Sequence, residues 1–209
     1  MSFKLLKIMA VFLCGISVCS ASMTISGTRI IFLGNEKDVS VRTNNKGSQP
    51  ALVQVWVDDG KTGSDINQVK VPFVVTPPVY RVEPGRGQSV RLVYNGMTLP
   101  QDRESVFWFN MLEIPPAPDG NVKKNRLELA FRTRIKIFFR PQTLTSSSEA
   151  NVDKLRWKII NDNVKGIGVE VTNATPYFFS FDTARLNTRT AKIDLIMDMV
   201  APGATERFY

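Results

Sequence analysis

The stretch Leu127–Pro141, LELAFRTRIKIFFRP, constrains the fold more than any other. Its odd positions are Leu127, Leu129, Phe131, Thr133, Ile135, Ile137 and Phe139, and its even positions are Glu128, Ala130, Arg132, Arg134, Lys136, Phe138 and Arg140. Alternation at a period of two predicts a β-strand with one apolar face and one mainly charged face. Strands usually run about 3–10 residues. Leu127–Phe139 would extend roughly 40 Å at about 3.3 Å per residue. A small sandwich does not cover that length, so one end is expected to project with apolar side chains uncovered. A long apolar edge is either an aggregation hazard or a place where another chain adds a strand.

The first 21 residues are read separately. Lys4 and Lys7 precede the apolar run Ile8–Val18, and Cys19-Ser20-Ala21 offers small residues for cleavage. This pattern predicts a secretory signal peptide rather than a membrane span. Cys14 and Cys19 are the chain's two cysteines, so the mature protein would hold no thiol, disulfide or cysteine-bound metal. Removing Lys4 and Lys7 takes the net charge from +8 to +6. The basic residues are scattered among apolar strands, which argues for solubility and local carboxylate binding, not nucleic-acid recognition. The chain has no histidine, so Ser-His and Cys-His nucleophile systems are excluded. No cofactor or metal is expected.

From Ser22 onward, short β patterns alternate with turn residues. Candidate strands are Thr24–Phe32 (interrupted by Gly27), Asp38–Thr43, Ala51–Val57, Phe73–Val75, Ser89–Tyr94 and Ser105–Ile114. Pro118-Asp119-Gly120-Asn121 suits a hairpin connection into the long strand. No helix of ten residues is predicted. Gln142–Ala150 is polar and serine-rich, as a linker would be. Leu155–Ile160, Gly168–Thr172, Tyr177–Phe181 and Ile193–Met199 then supply four more strands. Asn173-Ala174-Thr175-Pro176 reads as a turn. The expected fold is all-β with two immunoglobulin-like sandwiches: 22–141, a linker at 142–152, and 153–209. The second is expected to lack its last strands, because so few residues follow the linker.

Leu99–Pro115, LPQDRESVFWFNMLEIP, resembles the signature stretch of the periplasmic pilus (fimbrial) chaperones of the chaperone–usher pathway. Arg29 in TRIIF, the block Pro72–Tyr94, RIKIFFRP at Arg134–Pro141, and VTNATPYFF in the second half look like the same family. The resemblance implies a boomerang of two domains, a periplasmic location, and no catalytic activity. It implies pilus subunits and an outer-membrane usher as partners, with no nucleic acid and no integral membrane segment. Such chaperones lend a strand to a subunit that lacks one, a mechanism already known as chaperone–pilin donor-strand complementation. By position, Leu127, Leu129 and Phe131 match the donor side chains. Arg29 and Lys136 match the basic pair that anchors the subunit's terminal carboxylate. Glu104 and Arg140 match an interdomain ion pair whose usual aspartate partner has no counterpart here, which leaves Arg140 short of a second-domain contact. Pro50 matches a proline of the usher-facing loop. The short segment Ala117–Arg126 before the donor strand resembles the branch that builds rod-like pili.

Other readings predict different behaviour. A fimbrial subunit or secreted adhesive β module would polymerise rather than form a one-to-one complex, and a truncated chaperone would be non-functional. An enzyme using Asp58, Asp59 and Asp65 with a metal would need a closed ligand set, and the sequence offers none.

Overall fold

A computed structural model describes residues 22–61, 70–116, 129–187 and 192–209. The expected signal segment, the loop Ala117–Arg126, Leu127 and Asp65 lie outside these residues. The first sandwich begins with β1 (Met23–Ile25), β2 (Arg29–Leu33), β3 (Asp38–Asn45) and β4 (Ala51–Asp58). It continues with β5 (Phe73–Thr76), β6 (Val79–Val82), β7 (Gly87–Tyr94), β8 (Ser105–Ile114) and β9 (Phe131–Arg140). One sheet has the order β1-β3-β7-β5, and the facing sheet has the order β2-β9-β8-β4-β6. The β2–β9 pair is parallel, and the other recorded pairs are antiparallel.

The predicted strand Thr24–Phe32 divides in two, and its halves belong to opposite sheets. Gly27, at φ 99°, makes the crossing in a conformation that L side chains rarely adopt. The sheets close over a core that includes Phe32, Val53, Val90, Leu92, Phe109 and Ile137, all fully buried. Phe32 meets Phe73 at 5.1 Å between ring centroids, and Tyr94 stacks on Phe139 at 5.1 Å. Such pairs contribute about 0.5–1.5 kcal/mol each beyond the area they bury.

The long strand is shorter than its alternation predicts. Leu129 and Ala130 precede it in irregular backbone, and regular pairing starts at Phe131 opposite Glu113 of β8. Beyond Glu113, β8 has only Ile114 before Pro115-Pro116, so it cannot prolong the ladder.

A 3-10 turn, Glu149–Lys154, leads into the second sandwich. There β10 (Leu155–Asp162), β11 (Gly166–Asn173), β12 (Phe179–Ser180), β13 (Thr183–Asn187), β14 (Lys192–Ile196), β15 (Met199–Val200) and β16 (Thr205–Phe208) form sheets β10-β11-β16, β12-β15 and β13-β14. The sequence reading omitted β13 and β16. Thr205–Phe208 carries one apolar residue and becomes a strand through its ladder with Val169–Thr172 of β11. Predicted strand Ile193–Met199 breaks around Met197-Asp198 into β14 and β15. Val171 and Val200 are fully buried. Trp157 (49% exposed) and Ile159 (63%), opposite Val171 and Val169 on the same ladder, are largely uncovered. Asn173 is fully buried. Its side chain accepts hydrogen bonds from the Thr175 N–H and hydroxyl, which closes the predicted turn.

Candidate functional site

Two features of β9 define the site. β8 pairs with it from Phe131 to Phe139, whereas β2 accompanies it only from Lys136 (opposite Arg29) to Arg140 (opposite Leu33). Among the described residues, Phe131–Ile135 therefore has an edge with no strand beside it. Backbone donors and acceptors along such an edge are free to pair with another chain. Phe131, beside this edge, is 61% exposed, and Leu129, just before the strand, is 54% exposed. Ile135, Ile137 and Phe139 of the same alternating set enter the core.

The parallel register puts Arg29 and Lys136 side by side at the inner end of the open edge. Arg29 is exposed, whereas the Lys136 side chain is only 19% exposed. Burial lowers the Lys136 pKa; Asp198 opposes that shift, and the nearby Arg29 charge adds to it. The Lys136 ammonium donates to Ser180 Oγ at 3.0 Å and lies 4.0 Å from Asp198. Both residues come from the second sandwich, where β12 and β15 run side by side. Asp198 is itself held by the Met199 N–H at 2.7 Å.

Beyond Lys136, β9 carries the contact between the sandwiches. Phe138 sits on the even face predicted to be charged, but it is buried against Phe178 at 5.7 Å. Arg140 Nε donates to Glu104 Oε1 at 2.8 Å, and Glu104 is 3% exposed. The other Glu104 oxygen accepts the Phe178 N–H at 2.9 Å, and the Glu104 N–H donates to Pro176 O at 2.9 Å. The expectation that Arg140 lacks a second-domain contact is corrected here: its guanidinium lies over the Tyr177 ring at 5.2 Å. Aromatic and backbone groups of Pro176–Phe178 supply the contacts to Arg140 and Glu104. Pro50 is half-buried, at the end of the segment joining β3 to β4.

A third group was not legible as part of the site. Asp58, considered in the sequence as a metal ligand, is 8% exposed and surrounded by donors. Arg132 Nη2 reaches it at 3.1 Å, Asn110 Nδ2 at 2.9 Å, and Arg134 Nη2 contacts its other oxygen. Arg132 also lies 5.0 Å over Trp56, and Arg134 lies 4.2 Å over Trp108. With its lone pairs taken by cations and amides, Asp58 is an ion-pair centre rather than a metal site. The sequence carries one weak signal for it: Arg132 and Arg134 share one strand face, where a single carboxylate can bridge both.

Residues 22–145 match the family described as pili and flagellar-assembly chaperone, PapD N-terminal domain. Residues 150–209 match pili assembly chaperone PapD, C-terminal domain. The probable fimbrial chaperone YadV of Escherichia coli K12 is 43% identical over 89% of this chain and 76% of its own length. The YadV crystal structure superposes with a TM-score of 0.75 at 41% identity, covering 90% of this chain and 84% of that one. The Salmonella enterica SafB chaperone, solved in complex with SafA pilin, gives a TM-score of 0.75 at 25% identity over 92% of this chain and 85% of the matched chain. With both sandwiches matched in sequence and in fold, this chain belongs to the PapD-type pilus-assembly chaperone family of the chaperone–usher pathway.

Proposed function

We propose that this protein works in the periplasm, capturing pilus subunits by strand addition along the open edge of β9 and passing them to an outer-membrane usher. The observation that carries the reading is the register of β2. That strand stops pairing with β9 at Arg29–Lys136, so an incoming strand in line with β2 has room only along Phe131–Ile135 and the residues before it. Running parallel to β9, such a strand ends against Arg29 and Lys136. A parallel guest brings its C-terminal carboxylate to two cations. An antiparallel guest would bring a cationic N-terminus and be repelled. Charge thus selects direction, and the fixed end selects register.

Leu129 and Phe131, with Leu127 before them, supply the side chains that the subunit buries. Each contributes roughly 1.5–3 kcal/mol of transfer energy before ordering costs. In the free protein, Ser180 and Asp198 occupy Lys136, and an incoming carboxylate replaces them. Glu104 and Arg140 fix the angle at which the second sandwich meets this site. Pro50 faces the usher. The functional units are 22–141 and 153–209, joined by 142–152.

The SafB complex with SafA pilin supports subunits as the partner class. Co-expression with an affinity-tagged fimbrial subunit tests the reading. A one-to-one complex that is lost in Lys136→Ala is expected. Absence of any complex, or self-polymerisation of this chain, would instead favour a subunit-like role.

A further inference from the structure

The open half of β9 is poorly supported for a strand that must present side chains at fixed spacing. Phe131, Arg132, Thr133 and Arg134 are all exposed, and β8 is the one strand beside them among the described residues. Segments with few buried contacts open most readily. Regular pairing nevertheless continues to Phe131.

The support comes from the opposite face. Asp58 lies on β4, and β8 separates β4 from β9 in the sheet. Its carboxylate therefore reaches across the intervening strand to Arg132 and Arg134. Asn110 of β8 joins the span: it donates to Asp58 at 2.9 Å and accepts from Arg132 at 3.1 Å and 2.7 Å. Asp58 is aimed by its own turn, where the Gly60 N–H donates to it at 2.9 Å. Gly60 has φ 87°, and a Cβ there would fall 2.5 Å from Trp108 Nε1. The turn thus closes against the ring over which Arg134 sits.

We propose that Asp58 is a positioning residue for strand donation. It laces β4, β8 and β9 together, and so holds the open half of β9 extended before a subunit arrives. The inference rests on the strand-addition reading and deepens it. Without the lacing, Phe131–Arg134 would be ordered only on binding, at a cost to affinity. Arg132 and Arg134, freed of their counter-charge, would also repel one another along the strand face.

Hydrogen exchange on the full chain, combined with capture of an affinity-tagged fimbrial subunit, tests the proposal. In Asp58→Asn, exchange at Phe131–Arg134 should accelerate about tenfold or more while Ile137–Phe139 keeps its protection, and capture should weaken about tenfold. Arg132→Gln removes one strut from a half-exposed side chain and leaves the Asp58 carboxylate paired with Arg134. It should move both readouts the same way, and it serves if Asp58→Asn does not fold. Lys136→Ala should lose capture with unchanged exchange at Phe131–Arg134. Wild-type exchange at Phe131–Arg134 in both Asp58→Asn and Arg132→Gln would overturn the proposal, as would faster exchange with undiminished capture. If the unmodified protein captures no subunit, strand addition itself fails and the positioning role fails with it; the exchange data separate that outcome from loss of the lacing.

Discussion

Strands β9 and β10 both leave large apolar side chains in solvent, and they differ in what surrounds the exposure. Around β9, Leu129 and Phe131 border a backbone edge that is unpaired among the described residues and ends at two cations. Around β10, Trp157 and Ile159 lie on a sandwich face, and Ile196 of β14 in the same sandwich is 83% exposed. The basic neighbour Arg185 is already paired with Asp194 at 2.6 Å. Exposure alone therefore does not make a binding site. In the proposed function the β9 edge adds a direction, set by Arg29 and Lys136, and a fixed geometry, set by Asp58. The β10 face offers adhesion without register and reads as an aggregation liability.

Removing the charged end of the β9 edge should break this contrast most completely. Lys136→Ala or Arg29→Ala is expected to weaken subunit capture by roughly 2–5 kcal/mol, as truncating one partner of a desolvated charge contact does. Subunit affinity measured on the purified variants checks it, with thermal unfolding of the first sandwich expected to stay unchanged. Next in size is Phe131→Ser, which should cost roughly 1.5–3 kcal/mol of affinity while leaving the free protein as stable as before. Ile159→Ser on the other face should leave capture intact and reduce self-association, read by light scattering. Equal losses of capture from both substitutions would erase the distinction.

The strand Ser105–Ile114 was legible to the residue, because its aromatic run ends at two prolines. The alternation of β9 was legible too, including the switch from exposed Phe131 to core residues Ile135, Ile137 and Phe139. Its start was not, since that depends on how far β8 extends beside it. Arg29 and Lys136 were readable through resemblance, whereas their adjacency is a matter of parallel pairing between distant segments. The pairing of Asp58 was not legible, because its partners lie 74 and 76 residues away. A carboxylate at a strand end, here Asp58 before Asp59, does not by itself announce two arginines from another strand. The pair β12–β15 and the strand β16 are similarly products of long-range ladders rather than of local pattern.

The pH dependence sharpens the β9 side. Burial, the largest influence, lowers the Lys136 pKa from the ordinary lysine value. Carboxylate binding requires the ammonium, so affinity should decline as pH rises through the lowered value. Because the folded-state pKa lies below the unfolded one, this group's contribution to stability moves the other way, rising with pH between the two. Titrating capture and melting temperature on the alkaline side checks both signs, and Lys136→Ala should flatten both. The smallest effect belongs to Asp198→Asn. It removes a solvent-exposed competitor for Lys136, a contact of the kind that contributes little. A slight tightening of capture is expected.

Hydrogen exchange on β9, with and without a bound fimbrial subunit, tests the central claim most directly. Strand addition predicts that amides of Phe131–Ile135 facing away from β8 become protected on binding, while those along β10 do not change. Capture of the subunit with no added protection at Phe131–Ile135, or with protection confined to β10, would contradict it.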